Sequence, residues 1–266
     1  MCLFANVPIR TISKSAYQQI GTLKMNLTID IGNSRIKLGL FEKEQLREKF
    51  VWETWRLEEI MNLTTNQNVK NVILSNVGKN LPWEIEFFLR GNFFYTELNT
   101  QTPLPIQNAY KTPETLGKDR LAAVVGAFDM FPDRNCLAID AGTCITLDVL
   151  RAGGVFLGGN ITPGVEMRLK AMHHFTAKLP LVSMGDTENF IGYSTESAMR
   201  NGAQWGAILE VEGFIRRCRS ELGEINVILT GGDADFFVKN LKSQIFVNPN
   251  LVLQGLNKIL NHNVKL

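Results

Sequence analysis

A chain of 266 residues, 45% of them hydrophobic, has material for a sizeable core and fits one large domain or two small ones. Its 28 basic and 26 acidic residues leave a net charge of +2 spread without long runs, which gives no reason to expect a nucleic acid or a membrane surface as partner. Apolar stretches such as Leu121 to Val125 fall far short of the roughly 20 residues that a membrane-spanning helix needs.

Residues 1–24 carry Arg10, Lys14 and Lys24 among broken apolar stretches and lack the continuous core of a secretory signal. They read as an N-terminal extension ahead of Met25, either an upstream mis-start or a disordered tail, with an ordered arm as the alternative. Leu27-Thr28-Ile29-Asp30 reads as a buried strand that ends in a turn at Gly32. Ile36 to Phe41 and Leu46 to Glu53 alternate well enough for the next two strands of a meander. A short helix over Leu57 to Leu63 and a buried strand from Val69 to Ser75 follow, the strand closing on Val77-Gly78. A helix covers about Leu81 to Leu89, with Pro82 near its first turn, where a missing N–H costs little. Trp83, Phe87 and Phe88 keep helical spacing there and are predicted to be core. Phe93-Phe94-Tyr95 is a short strand and Thr102 to Pro105 a loop. The Ala-rich run after Gly117-Lys118-Asp119-Arg120 predicts a helix to about Phe128, with Asp119 and Arg120 at or near its start.

The second half repeats the scheme. A strand at 136–140 continues into 145–150, a further strand lies near Val155 to Leu157, and Ile161-Thr162-Pro163-Gly164 leads into a helix through Met172. A long helix from Thr195 to about Arg219 carries Gly202, Ala203, Gly206 and Ala207, small enough for close packing. Val227 to Thr230 is a buried strand opening on Gly231-Gly232-Asp233-Ala234, and a helix follows from Asp235 to Leu241. Strands in sequence followed by helix and strand suggest a mixed α/β sheet with helical cover.

Two segments, Asp30-Ile31-Gly32-Asn33-Ser34 and Asp140-Ala141-Gly142-Thr143-Cys144, are one device written twice: an apolar strand ending in Asp, then a glycine turn bearing hydroxyls. Backbone N–H groups and hydroxyls in such turns form anion cradles, and an Asp at the strand end can hold a hydrated cation. Lys37 can reach into the first turn. A strand followed by a turn is the plainer reading of either copy alone; the duplication favours a phosphate and metal site, and favours two domains. Asp119-Arg120 has a plainer reading too, as a helix-start charge pair.

Other chemistry is thinly supported. Cys2, Cys136, Cys144 and Cys218 show neither paired spacing nor a pattern with His that suggests zinc, and are expected to be reduced, buried thiols. His173-His174 are expected to be a helix end leading into Phe175. The chain lacks Gly-x-x-x-x-Gly-Lys-Ser/Thr, which argues against a P-loop kinase.

Taken with Thr230-Gly231-Gly232-Asp233-Ala234, the two Asp-Gly turns resemble the adenosine and phosphate motifs of the acetate and sugar kinase, Hsp70 and actin superfamily. With Gly117-Lys118-Asp119-Arg120, Gly158-Gly159-Asn160-Ile161-Thr162-Pro163-Gly164 and Thr176-Ala177-Lys178-Leu179-Pro180, the stretch from Met25 to about Leu260 resembles type III pantothenate kinases. The resemblance implies an α/β fold of two ribonuclease-H-like (actin-like ATPase) domains with mixed sheets, residues 25–133 and 134–266, and an ATP cleft between them. It implies ATP-dependent phosphorylation of pantothenate to 4'-phosphopantothenate, the first step of coenzyme A biosynthesis, by a cytoplasmic homodimer whose substrate pocket lies at the subunit interface. Residue by residue, it implies that Asp30, Ile31, Gly32, Asn33, Ser34, Arg35, Ile36 and Lys37 line the ATP phosphates and that Thr143 contacts ATP. Asp30 would hold magnesium and Asp140 a monovalent cation, K+ or NH4+. Tyr110, Gly117, Lys118, Asp119, Arg120 and Thr195 would contact pantothenate, with Asp119 as general base and Arg120 forked onto the substrate carboxylate. Ser34 stands where the pattern usually has Thr, which keeps the hydroxyl; Cys144 stands where a small residue is commoner, and is expected to pack rather than react. Two rival readings stay open: a kinase for another small hydroxy acid or sugar, and a nucleotide-binding regulator without turnover.

Overall fold

The computed structural model describes residues 24–78, 80–186 and 189–264, so the expected N-terminal extension lies outside the described residues apart from Lys24. The first sheet contains β1 (Met25–Ile31), β2 (Ile36–Glu42), β3 (Gln45–Trp52), β4 (Val69–Asn76) and β5 (Phe94–Glu97), in the order β3-β2-β1-β4-β5. β2 and β3 are antiparallel meander strands, whereas β4 and β5 run parallel to β1. One face of this sheet is apolar. Leu27, Ile29 and Ile31 join Val72 and Leu74 there, beneath Ile60 of α1 (Leu57–Asn66) and Ile85 and Leu89 of α2 (Trp83–Asn92). Because side chains alternate along a strand, Asn26, Thr28 and Asp30 occupy the opposite face, and all three are buried.

The second sheet contains β6 (Gln107–Asn108), β7 (Asn135–Ala141), β8 (Cys144–Arg151), β9 (Val155–Pro163), β10 (Ile225–Thr230) and β11 (Phe246–Val247), in the order β11-β10-β7-β8-β9-β6. With the edge strand β6 set aside, it repeats the first sheet strand for strand: β7 is central, β8 pairs with it antiparallel, β10 pairs with it parallel. The architecture is therefore α/β with two ribonuclease-H-like mixed sheets. The remaining helices are α3 (Lys118–Met130), α4 (Val165–His174), α5 (Thr195–Leu222), α6 (Ala234–Asn240) and α7 (Leu251–Val264). A capping box between Ser194 and Ser197 fixes the start of α5. Among the described residues no helix is long and apolar enough to cross a membrane.

α3 and α7 link the two sheets. Ala122, Val125, Leu251 and Leu256 share one cluster with Ile73 of β4 on one side and with Cys136, Ala138, Leu150 and Ile228 of the second sheet on the other. The helices touch backbone to backbone: a Cβ at Gly255 would overlap the Ala122 carbonyl, and one at Gly126 would overlap that of Leu251. On the polar face of β1, Asn26 donates to Asn257 at 2.8 Å and to Asn261 at 2.7 Å and accepts from Asn71 at 2.8 Å, while Asn257 donates to the Lys43 carbonyl at 2.8 Å. Hydrogen bonding thus makes a buried polar strand face compatible with helical cover.

The structure corrects several sequence expectations. β9 does not stop near Leu157 but runs to Pro163, because β8 pairs with it along the whole length; α4 does begin directly after Pro163-Gly164, at Val165. Trp83 and Phe87 are not core: α2 turns Ile85 and Leu89 inward and leaves these two rings 71% and 74% exposed. Phe88 alone of the three packs at the edge of the core, with Phe93 edge-on at 5.7 Å. Of the cysteines, Cys136 is buried, but Cys144 and Cys218 are only partly so; all three are free, and Cys2 lies outside the described residues.

Candidate active site

The two Asp-Gly turns stand at equivalent places, at the ends of the two central strands. Asp30 lies one residue before the end of β1, and the turn after it is fastened by the Gly32 N–H donating to the Arg35 carbonyl at 3.0 Å. Asn33, Ser34 and Arg35 are exposed on that turn, while Ile31 and Ile36 are buried beneath it. Asp140 lies one residue before the end of β7, and the Gly142 N–H donates to the Cys144 carbonyl at 3.0 Å, leaving Thr143 exposed. Each turn is also braced by a glycine from the neighbouring parallel strand. A Cβ at Gly78, beyond β4, would strike Gly32 and Asn33, and one at Gly231, beyond β10, would strike Asp140 and Ala141. Gly231 further adopts φ +103, a left-handed conformation that favours glycine.

The copies differ where chemistry demands it. Asp30 faces Lys37 on β2 and Ser75 on β4, whereas Asp140 faces Thr146 on β8 and Thr230 on β10. Burial pushes the Asp30 carboxyl up to about 7; Lys37 opposes the shift, and the negative charges of Asp119 and Asp140 add to it. Ser75 exerts the weakest of these influences, and its buried hydroxyl makes no hydrogen bond of normal geometry. Oδ1 of Asp30 is likewise buried without a hydrogen-bond partner. Asp140, which keeps part of its surface open, is raised to about 6 by desolvation, again opposed by Lys37 and reinforced by Asp119. Lys37 and Asp119 therefore act on both strand-end carboxylates: the structure brings these four residues into one electrostatic neighbourhood.

Asp119 and Arg120 sit in the first turn of α3, after Gly117 as its N-cap, with partly buried Lys118 between. The Arg120 N–H donates to Oδ1 of Asp119 at 2.8 Å. Tyr110 is partly buried nearby, its ring 5.5 Å from the Arg120 guanidinium and stacked on Phe156. The side chain of Arg120 was expected to fork onto a substrate carboxylate. In the structure its Nε reaches both oxygens of Asp148 at 3.1 Å and its Nη2 reaches Oδ1 at 2.6 Å, and neither of these contacts uses Nη1. Burial would lower the Arg120 pKa, but Asp148 and then Tyr110 hold it above the usual arginine range. Asp148 escaped the sequence reading because Leu147-Asp148-Val149 looks like an alternating strand with a solvent-facing acid; only the β8–β9 register shows that its face is covered. Thr195 opens α5 in an exposed position, and no hydrogen bond joins it to Tyr110, Asp119 or Arg120. Thr230-Gly231-Gly232-Asp233 leads from β10 into α6, with the Asp233 N–H donating to the Ala141 carbonyl at 2.9 Å. His173 and His174 do end α4, with Nδ1 of His173 2.8 Å from the Leu179 carbonyl oxygen.

Known proteins extend this picture. Residues 26–217 match the family model described as type III pantothenate kinase. A type III pantothenate kinase of Phocaeicola vulgatus is 44% identical over 245 residues, covering 91% of this chain and all of the relative. One from Cytophaga hutchinsonii is 42% identical over 241 residues, 90% of this chain and all of the relative. Among solved structures, a conserved protein described as a Baf family transcriptional activator from Campylobacter jejuni superposes with a TM-score of 0.56 at 22% identity, over 90% of this chain and 100% of that one, a likeness of fold. With 40-odd percent identity sustained over nine-tenths of its length, and with both glycine turns in place, the chain belongs to the type III pantothenate kinase family.

Proposed function

We propose that this chain transfers the terminal phosphoryl group of ATP to the terminal hydroxyl of pantothenate, forming 4'-phosphopantothenate at the first step of coenzyme A biosynthesis. The observation that carries the reading is the meeting of Asp30, Asp119 and Asp140 around Lys37, at the ends of two glycine-turn strands and the start of α3. Phosphoryl transfer asks for charge neutralisation, in-line positioning and a group to take the alcohol's proton. Each has a candidate here. The backbone of residues 31–36 and of Thr143 cradles phosphate oxygens, with Lys37 as the neighbouring cation. Asp119 accepts the proton of the acceptor hydroxyl, and its carboxylate is held for that task by the Arg120 N–H. Nη1 of Arg120, with Tyr110, Gly117 and Lys118 around it, receives the pantothenate carboxylate.

A cation fits the strand ends. Oδ1 of Asp30 is a buried acceptor with no donor, and Asp140 is raised by burial and by like charge, so positive charge is wanted at both. No group of three His, Cys, Asp or Glu among the described residues is arranged to hold a metal by itself. Asp30 would therefore supply one carboxylate ligand to magnesium, a hard cation that takes oxygen ligands. Asp140 would hold K+ or NH4+ beside Thr143. When bound, the magnesium spreads the phosphate charge.

The reading extends to a homodimer in the cytoplasm. Phe175, Leu181, Phe190, Ile191 and Tyr193, each between 62% and 84% exposed, are large hydrophobic side chains left uncovered in the segment before Thr195, which a second copy would cover. Thr195 then reaches the partner's pocket rather than its own. The proposed division into domains of residues 25–133 and 134–266 puts its break in the loop between α3 and β7. The test is a coupled assay of ATP turnover with and without pantothenate, in sodium and then in potassium, repeated for Asp119→Asn. Turnover should need pantothenate and potassium, and the variant should lose about 100- to 10,000-fold in kcat with its fold unchanged. Full activity in that variant would remove Asp119 from the role of base.

A further inference from the structure

Asp148 has no part in the mechanism above, yet the molecule makes unusual room for it. Its carboxylate and the Arg120 guanidinium are 1% and 5% exposed, so both charges have given up water to meet. Such a pair gains little stability over an apolar pair of the same size, which leaves its use to be explained. β9 omits side chains just where the pair is built. Gly159 lies opposite Asp148 in register, and a Cβ there would stand 2.6 Å from Asp148 Oδ1. Gly158, at φ +114, leaves space for the Tyr110 ring, which a Cβ would press at 3.2 Å. That ring is in turn held nearly parallel to Phe156, 4° between planes and 6.0 Å between centroids. The guanidinium is thus clamped on its Nε–Nη2 edge by Asp148 and flanked by Tyr110, while the backbone N–H of the same residue orients Asp119.

We propose that Asp148 is a positioning residue for phosphoryl transfer: by occupying Nε and Nη2 of Arg120 it fixes the direction in which Nη1 meets the acceptor's carboxylate. The proposal rests on the site being that of a pantothenate kinase. The hydrogen bonds of Asp148 into the site run through Arg120, so its signature is in acceptor recognition and in epistasis.

The experiment compares steady-state kinetics of the parent, Asp148→Asn, Arg120→Met and the double variant, with thermal melting alongside. Asp148→Asn keeps the shape and removes the charge; it should raise KM for pantothenate by about 10- to 100-fold, the range typical of residues that orient a ligand-binding group. KM for ATP should stay within about twofold, and on the Arg120→Met background the same change should add less than about twofold. A pantothenate KM unchanged by Asp148→Asn, or an effect that multiplies in full on the Arg120→Met background, would overturn the proposal. If Asp148→Asn does not fold, Asp148→Glu carries the test: it keeps the charge but displaces the guanidinium, and an unaltered pantothenate KM is then the refuting result. A parent protein with no pantothenate-dependent ATP turnover defeats the functional reading itself, an outcome distinct from an active parent indifferent to position 148.

Discussion

Removing the buried charge at Asp30 should make the metal-free protein more stable. The carboxyl rises from 3.8 to about 7 in the folded chain because burial strips its water and the Lys37 charge does not fully replace it. A carboxyl whose native pKa is raised holds its proton longer in the folded state, so stability is greatest below the unfolded pKa and declines as pH climbs toward the folded one. At about 1.4 kcal/mol per pH unit, the ionisation costs the fold about 1.6 kcal/mol at pH 5 and about 4 kcal/mol at pH 8. Asp30→Asn abolishes that titration while keeping the shape. In chelator, without nucleotide, its melting temperature should exceed the parent's by a margin that widens from pH 5 to pH 8. At about 2–4 °C per kcal/mol for chains of this size, the widening is on the order of 5–10 °C. Differential scanning calorimetry across that range measures it. A margin that stays flat or narrows with rising pH would show that the burial of Asp30 is not what raises it, and the cation argument at β1 would fall with it. The same variant should gain no stability from magnesium-ATP.

Two further outcomes follow from packing. Gly255→Ala drives a methyl group into the Ala122 carbonyl at the α3–α7 crossing, where both neighbours are backbone, and should cost at least about 1–3 kcal/mol, read as a lower urea midpoint; Gly202→Ala on α5, where a Cβ meets nothing within 4 Å, is the control that should raise the midpoint by the helix preference of Ala over Gly, about 1 kcal/mol. If the proposed homodimer forms through the exposed hydrophobic residues before α5, Ile191→Asp should shift sedimentation from dimer to monomer; a species of unchanged mass would refute that contact.

Strand and turn chemistry made much of the molecule legible. The paired Asp-Gly turns, the meander after each and the position of Asp119 at a helix start all came from local pattern, because β-alternation and glycine turns are encoded over a few residues. What stayed hidden was non-local. Trp83 and Phe87 share helical spacing with Ile85 and Leu89, and sequence does not say which side of the turn the sheet will occupy. α7, with its asparagines among the leucines, reads as neither clearly apolar nor clearly polar until β1 is seen to offer asparagine in return. The Asp148 partner of Arg120 lies 28 residues away, joined only by sheet register.

The exchange of helices between the sheets has a bearing on how the chain is born. The strands of the first sheet leave the ribosome early, but the helix that covers their polar face spans Leu251–Val264, near the end of the described chain. Until those residues emerge, Asn26 lacks the Asn257 and Asn261 side chains that accept its hydrogen bonds. The amide donor of a strand residue made at the start of the described chain is thus satisfied only by residues near its end, which ties the burial of Asn26 to hydrogen bonds spanning 231 and 235 positions.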